Sequence, residues 1–262
     1  MSRITEAFKT KAFIPFITCG DPDLETTKAI IKEMAANGAD LIELGIPFSD
    51  PTAEGPVIME ANLRALKNHV TTDDVFEMVG QVSKEVDVPL VFMTYANVVF
   101  SYGINRFFEN CKKTGIAGII LPDVPFEEKA EFEEEALAND VEFISMIAPT
   151  SEDRIDMISK EARGFIYIVS SLGVTGERSE LNNNIKSVVE RVRKNTDVPA
   201  AVGFGISTPE QAAAMADISD GAIVGSAVVR VIAEYGKDAP KHVGEMVKAM
   251  KEGLSCITPT HF

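Results

Sequence analysis

Leu41-Ile42-Glu43-Leu44-Gly45-Ile46 is an apolar run without alternation, and one carboxylate sits inside it. A strand that is apolar on both faces belongs to a parallel sheet covered on both sides. A run of the same kind precedes it, Ala12-Phe13-Ile14-Pro15-Phe16-Ile17-Thr18, closed by the turn Cys19-Gly20-Asp21-Pro22. Six more follow, at residues 89–95, 117–123, 141–147, 165–169, 198–202 and 221–224. Helical patterns fill the gaps. Asp23 can cap one that runs to Gly38, and Thr71-Thr72-Asp73-Asp74 opens another after a long loop over residues 47–70. Further patterns cover 104–115, 126–138, 153–162, 185–195 and 242–251. Thr208-Pro209-Glu210-Gln211 is a strong helix start, with a capping Thr, Pro at the first position and Gln three residues after the cap. Eight strand–helix pairs without a linker predict an α/β fold of the (β/α)8 TIM barrel type, one domain over residues 1–262. An open doubly wound sheet would need a Gly-rich dinucleotide turn after the first strand, and Cys19-Gly20-Asp21-Pro22 is not one.

Composition narrows the function. The 262 residues carry 25 Lys and Arg against 40 Asp and Glu, a formal net charge of -15. Such a field repels phosphate backbones, and no basic stripe interleaves with aromatics, so a nucleic-acid surface is not expected. Backbone N–H groups can still hold one small phosphate. No apolar stretch is long enough to span a bilayer, and the first residues have no secretory apolar core. Cys19, Cys111 and Cys256 are widely spaced and odd in number, which predicts no zinc site, no disulfide framework and a reducing cytoplasm. His69, His242 and His261 follow no metal spacing and read as surface residues, so no metal is expected.

The active site of a β/α barrel lies at the carboxyl ends of its strands. Three features there stand out. Glu43 is an isolated charge in an apolar strand; it is either satisfied by a neighbouring hydroxyl or kept neutral by desolvation, which suits an acid/base catalyst. The loop Pro47-Phe48-Ser49-Asp50-Pro51-Thr52-Ala53-Glu54-Gly55-Pro56 is stiffened by three prolines and carries two acids. It reads either as a rigid surface loop or as fixed placement for a side chain. Small residues follow the last three strands, in Gly173-Val174-Thr175-Gly176, Gly203-Phe204-Gly205 and Gly225-Ser226. Late loops and a short helix starting at Ser226 are the usual phosphate site of this fold. Glu127-Glu128 and Glu133-Glu134-Glu135 look like a solvated helix face, and Phe107 and Phe108 like packing.

With the loop 47–56, the sequence resembles the tryptophan synthase alpha subunit family. The resemblance extends through Phe16-Ile17-Thr18-Cys19-Gly20-Asp21-Pro22, Tyr95-Ala96-Asn97, Asp123-Val124-Pro125, Gly173-Val174-Thr175-Gly176, Gly203-Phe204-Gly205-Ile206 and Gly225-Ser226-Ala227, in the family's order. It implies a barrel lyase that splits indole-3-glycerol phosphate into indole and glyceraldehyde 3-phosphate in tryptophan biosynthesis, with no cofactor of its own. It also implies an alpha2beta2 heterotetramer in which a beta subunit holds pyridoxal phosphate. By the resemblance, Glu43 is the catalytic glutamate, and Glu54 stands where the family has a second catalytic carboxylate, normally an aspartate. Tyr167 lines the site beside Glu43. Phe16, Met93, Ile120, Met146 and Phe204 line the indole pocket, and Gly176, Gly205, Gly225 and Ser226 hold the phosphate. Asp50, Tyr95-Ala96-Asn97 and Asp123 fall where the family meets its beta subunit or steadies the site. Two alternatives stay open: a free-standing lyase, and a weakly active chain that mainly binds and activates a beta subunit. Glu54→Asp is expected to raise turnover, because no compensating change is visible in the loop.

Overall fold

The computed structural model of the chain describes residues 2–148, 154–169, 178–203 and 205–255, the side chains of 178–183 and 255 excepted. Its strands are β1 (Ala12–Thr18), β2 (Ile42–Gly45), β3 (Leu90–Met93), β4 (Ile116–Ile120), β5 (Glu142–Phe143), β6 (Ser145–Ile147), β7 (Ile166–Val169), β8 (Ala200–Gly203) and β9 (Gly221–Val224). They form one parallel sheet in the order β5-β4-β3-β2-β1-β9-β8-β7-β6. The two ends of that order are halves of one run. β5 pairs with β4 and β6 pairs with β7, while the Ile144 N–H between them donates to the Ile119 carbonyl at 2.9 Å. The fifth run of the sequence thus changes partners at Ile144 and brings the barrel to near closure.

The parallel register sorts the side chains. Phe16 lies beside Glu43, and Met146 beside Tyr167, at matching levels of neighbouring strands. One buried cluster, with Ile14, Leu41, Val91, Ile120, Ile144, Phe165, Tyr167, Ala201 and Ile223, fills the barrel. A larger one, including Phe13, Ile17, Ile42, Leu44, Phe92 and Ile119, packs the outer faces of the same strands against the helices. All seven residues of β1 are buried, as a strand covered on both sides requires. Phe107 and Phe108 are fully buried packing residues.

Three helices begin at the caps read from the sequence. In α2 (Leu24–Ala36) the Thr26 N–H donates to Asp23 at 2.8 Å. In α4 (Thr72–Val82), Thr71 and Asp74 close a reciprocal capping box. In α10 (Pro209–Ile218) Thr208 caps the first turn. Other expectations need correction. The loop 47–70 is a loop only to Gly55, because α3 (Pro56–Lys67) follows. Pro56 starts that helix, since Pro costs nothing at a first position whose N–H is unbonded anyway. Two short helices have no counterpart in the sequence reading, α1 (Arg3–Glu6) and α5 (Ala96–Tyr102). After a 3-10 turn at Phe126–Glu128, α7 spans only Ala130–Ala138. The helix expected from residue 185 is α9 (Arg178–Arg193), whose first turns are too polar to show an apolar period. α6 (Ile104–Thr114), α8 (Ile155–Glu161), α11 (Ser226–Tyr235) and α12 (Ala239–Ser255) complete the set among the described residues.

α3 is fastened to the turn after β1. Arg64 donates from Nε to Asp21 Oδ1 at 2.7 Å and from Nη2 to Oδ2 at 2.8 Å, and Asp21 is buried. Such a two-pronged pair fixes geometry as well as energy. Arg64→Ala leaves that carboxylate buried and unpaired, and is expected to cost roughly 2–3 kcal/mol. Urea unfolding of Arg64→Ala, Asp21→Ala and the double variant checks it: the double should lose little more than either single.

Candidate active site

A cavity of about 890 Å³ opens where the strands end and their loops begin. Its wall includes Phe16, Glu43, Glu54, Met93, Met146, Tyr167, Gly205, Gly225 and Ser226. These come from several strands and the loops after them, so the barrel gathers residues far apart in the chain. Ile120 is not on the wall: it is fully buried among the side chains that fill the barrel, and Leu121 and Pro122 line the cavity next to it. Gly176 and Phe204 lie outside the described residues.

Glu43 is 1% exposed, and its Oε1 has no hydrogen-bond partner among the described residues. The alternative of a carboxylate satisfied by a neighbouring hydroxyl therefore fails for that oxygen. Burial penalises the charged form and pushes the carboxyl up to about 8. At neutral pH the group is mostly a neutral acid. Burial raises the Tyr167 hydroxyl as well, and the nearby Glu43 charge adds to it, so Tyr167 keeps its proton. Two neighbours of this pair have no room for a side chain. A Cβ on Gly203 would stand within van der Waals overlap of the Tyr167 hydroxyl, and one on Gly45 would stand 2.7 Å from the Phe16 ring. Both glycines let a large ring settle against the backbone.

Glu54 sits in the loop just before α3. Asn62 donates from Nδ2 to its Oε2 at 2.6 Å, and the Tyr95 hydroxyl, which accepts from the Ala53 N–H at 3.2 Å, is a neighbour. Burial raises this carboxyl too, and the polar groups of Asn62 and Tyr95 oppose that rise. The sequence alone does not mark Asn62 as the partner of Glu54, because Asn62 stands eight residues downstream on a helix that reads as loop. The signal for it is an amide on the buried face of α3, between Ala61 and Ala65.

On another part of the wall, Gly225 caps α11 and Ser226 begins it, so the first N–H groups of that helix end at the cavity. Gly205 takes a left-handed φ of 77° there, which glycine adopts without strain. A helix start of this kind attracts an anion. Lys129, Arg154 and Arg230 also line the cavity. Lys129 is 6% exposed and paired with Glu133 and Glu161 at 3.1 Å each, whereas Glu127, Glu128 and Glu134 are exposed as the solvated-face reading expects. His69 is exposed and His242 stacks on Tyr235, while His261 and Cys256 lie outside the described residues. No cluster of three or more His, Cys, Asp or Glu able to hold a metal occurs among the described residues. No helix among them is long and apolar enough to cross a membrane.

A parallel barrel with a neutral buried acid in its inner wall, a second carboxyl on the same cavity and a helix start at the same mouth defines a barrel enzyme of the acid–base kind. Comparison with known proteins narrows the class. The sequence profile described as tryptophan synthase alpha chain matches residues 3–255, and the chain belongs to that family. The tryptophan synthase alpha chain of Lacticaseibacillus casei is 47% identical over 252 residues, 96% of this chain and 95% of that one. The crystal structure of tryptophan synthase subunit alpha from Legionella pneumophila superposes with a TM-score of 0.89 at 35% identity, covering 98% of this chain and 100% of the other. A chain of the tryptophan synthase complex from Pyrococcus furiosus gives a TM-score of 0.83 at 32% identity, over 91% and 97%. The chain is accordingly a carbon–carbon lyase that cleaves indole-3-glycerol phosphate to indole and glyceraldehyde 3-phosphate.

The buried acid has a consequence for stability. Its folded pKa of about 8 lies above the ordinary glutamate value of 4.5. The stability it permits is fully present below pH 4.5 and is lost as pH rises through 8, because the unfolded chain then ionises more easily. Glu43→Gln should remove this slope and leave the variant more stable than the parent at about pH 8.5, by on the order of a few kcal/mol. Urea midpoints at about pH 5 and about pH 8.5 test it, and equal pH slopes for both proteins would contradict the assignment.

Proposed function

We propose that Glu43 moves both protons of the cleavage and that Glu54 stabilises the charge formed between them. The observation that carries this reading is a buried carboxyl in the inner wall of the cavity, whose Oε1 has no hydrogen-bond partner among the described residues and whose burial favours the neutral acid. Indole leaves poorly as a carbanion, so its C3 must be protonated first. The Glu43 acid gives that proton and the ring becomes an indolenine cation. The Glu43 carboxylate, now desolvated, takes the proton of the glycerol hydroxyl next to the breaking bond. As the carbonyl of glyceraldehyde 3-phosphate forms, the C–C electron pair returns to the ring, and neutral indole departs. Glu54 accepts a hydrogen bond from the ring N–H, and its negative charge offsets the positive charge growing there. Tyr167 stays protonated beside Glu43 and packs the ring edge with Phe16, Met93 and Met146. Ile120 supports this apolar slot from within the barrel. Phe204 and Gly176 complete the slot and the phosphate site by family resemblance. The N–H groups at Gly205, Gly225 and Ser226 hold the phosphate, and the chain itself needs no cofactor or metal.

The same reading makes the chain, residues 1–262, one barrel unit that works in the cytoplasm with a tryptophan synthase beta subunit as an alpha2beta2 heterotetramer. That partner would hold the pyridoxal phosphate. Phe100, on α5 beyond the end of β3, leaves 63% of a large apolar side chain in water, which supports a protein partner there. Asp50 and Asn97 are exposed in the loop after β2 and on α5, and Asp123 accepts from the Ala96 N–H at 3.0 Å, steadying the start of α5.

Steady-state indole release tests the chemistry. Glu43→Gln should lower kcat by about 10²–10⁴ with little change in KM. Near-normal turnover would overturn the mechanism. Native mass spectrometry with a tryptophan synthase beta subunit should give a heterotetramer, and Phe100→Glu should weaken it. A chain that stays alone while releasing indole at full rate would instead be a free lyase.

A further inference from the structure

We propose that Asn62 is the positioning residue that sets the Glu54 carboxylate against the substrate ring, and so makes a glutamate serviceable where the family normally has an aspartate. The inference rests on Glu54 stabilising the ring charge, as described above. Asn62 is 3% exposed on α3, and its amide N–H donates to Glu54 Oε2 at 2.6 Å. The Tyr95 hydroxyl, at the start of α5, accepts from the Ala53 N–H at 3.2 Å and so steadies the backbone next to Glu54. The carboxylate is therefore held by a buried donor from α3, and the loop that carries it is tied to the start of α5. A glutamate arm has one more rotatable bond than an aspartate arm, and a free one would spread its charge over several positions. The Asn62 donor selects one of them. α3 is itself held in place, because Arg64 anchors it to Asp21 less than one helical turn beyond Asn62. This reverses the expectation drawn from the loop alone: the Asn62 donor meets the longer arm at 2.6 Å, so Glu54→Asp should lower turnover.

The other titratable or charged groups around Glu54 are Tyr95 and Asp123 beside α5, Glu43 and Tyr167 in the barrel wall, and Lys129, Arg154 and Arg230 elsewhere on the cavity. With Glu54 needed ionised and Glu43 needed as an acid, kcat should follow a bell in pH. Asn62 stabilises the ionised form of Glu54, so it acts on the acidic limb alone.

The test is the pH profile of indole release by five proteins: the parent, Asn62→Ala, Glu54→Gln, Glu54→Asp, and the double variant Glu54→Asp with Asn62→Gln. Circular dichroism first establishes that each is folded. Asn62→Ala should move the acidic limb up by about one pH unit, leave the alkaline limb in place and lower kcat more than it raises KM. Glu54→Asp should fall by up to about a hundredfold. Adding Asn62→Gln, which lengthens the donor by one methylene, should restore part of that loss by reaching the shortened partner. An unmoved acidic limb in Asn62→Ala, or no rescue in the double variant, would overturn the proposal while Glu54→Gln remains impaired. Full turnover in Glu54→Gln would instead overturn the role of Glu54, and this inference with it.

Discussion

A carboxyl group placed inside a wall of hydrocarbon has two options: it finds partners or it gives up its charge. Glu43 gives up its charge. The barrel is filled around it by aliphatic and aromatic side chains, and none of the described residues bonds its Oε1. Everything else about the site answers to that condition. The ring neighbours must be apolar to keep the acid neutral, and in the proposed function the same surfaces hold a flat aromatic substrate. Gly45 and Gly203 are bare so that Phe16 and Tyr167 can close around the acid and keep water from it.

The second carboxyl is treated in the opposite way. Glu54 is only partly withdrawn from water and has a buried donor, Asn62, which favours the ionised form against the pull of burial. Burial raises both carboxyls on this cavity, but Glu43 Oε1 has no partner among the described residues whereas Glu54 has a donor opposing the rise. In the proposed chemistry that contrast separates an acid from a carboxylate that would receive positive charge. The fold supplies the contrast directly: inward strand positions face a packed interior, whereas the loops beyond them meet side chains from the next helix.

Most of this is legible in the residues, for identifiable reasons. The strands can be read because runs such as 12–18 are apolar on both faces, and the helices because Asp23, Thr71 and Thr208 mark their starts. Glu43 can be read because a lone charge in such a run is costly. What escapes is of another kind. Pro56 looks like a loop residue although it opens α3, so the bond from Asn62 to Glu54 across two helical turns is invisible. Lys129 is hidden in an acidic segment, since its partners Glu133 and Glu161 lie on two different helices. Ile120 is a pocket residue by the family resemblance alone, but the sheet there leaves it buried in the filling, and Leu121 lines the cavity. Period and caps report on single elements; pairings between elements need the fold.

The fifth run of the barrel behaves differently from its neighbours. It gives two residues to β4 and three to β7, with a change of partner at Ile144. No other stave in the described barrel divides its bonds in this way. A segment with so short a ladder on each side has less backbone bonding to lose when it opens, so it is the compliant stave of an otherwise stiff ring. Ile144, Ser145 and Met146 of that stave line the cavity. This part of the cavity wall is therefore the part that can yield, while the wall bearing Glu43, bonded along its length to β1 and β3, holds the acid still.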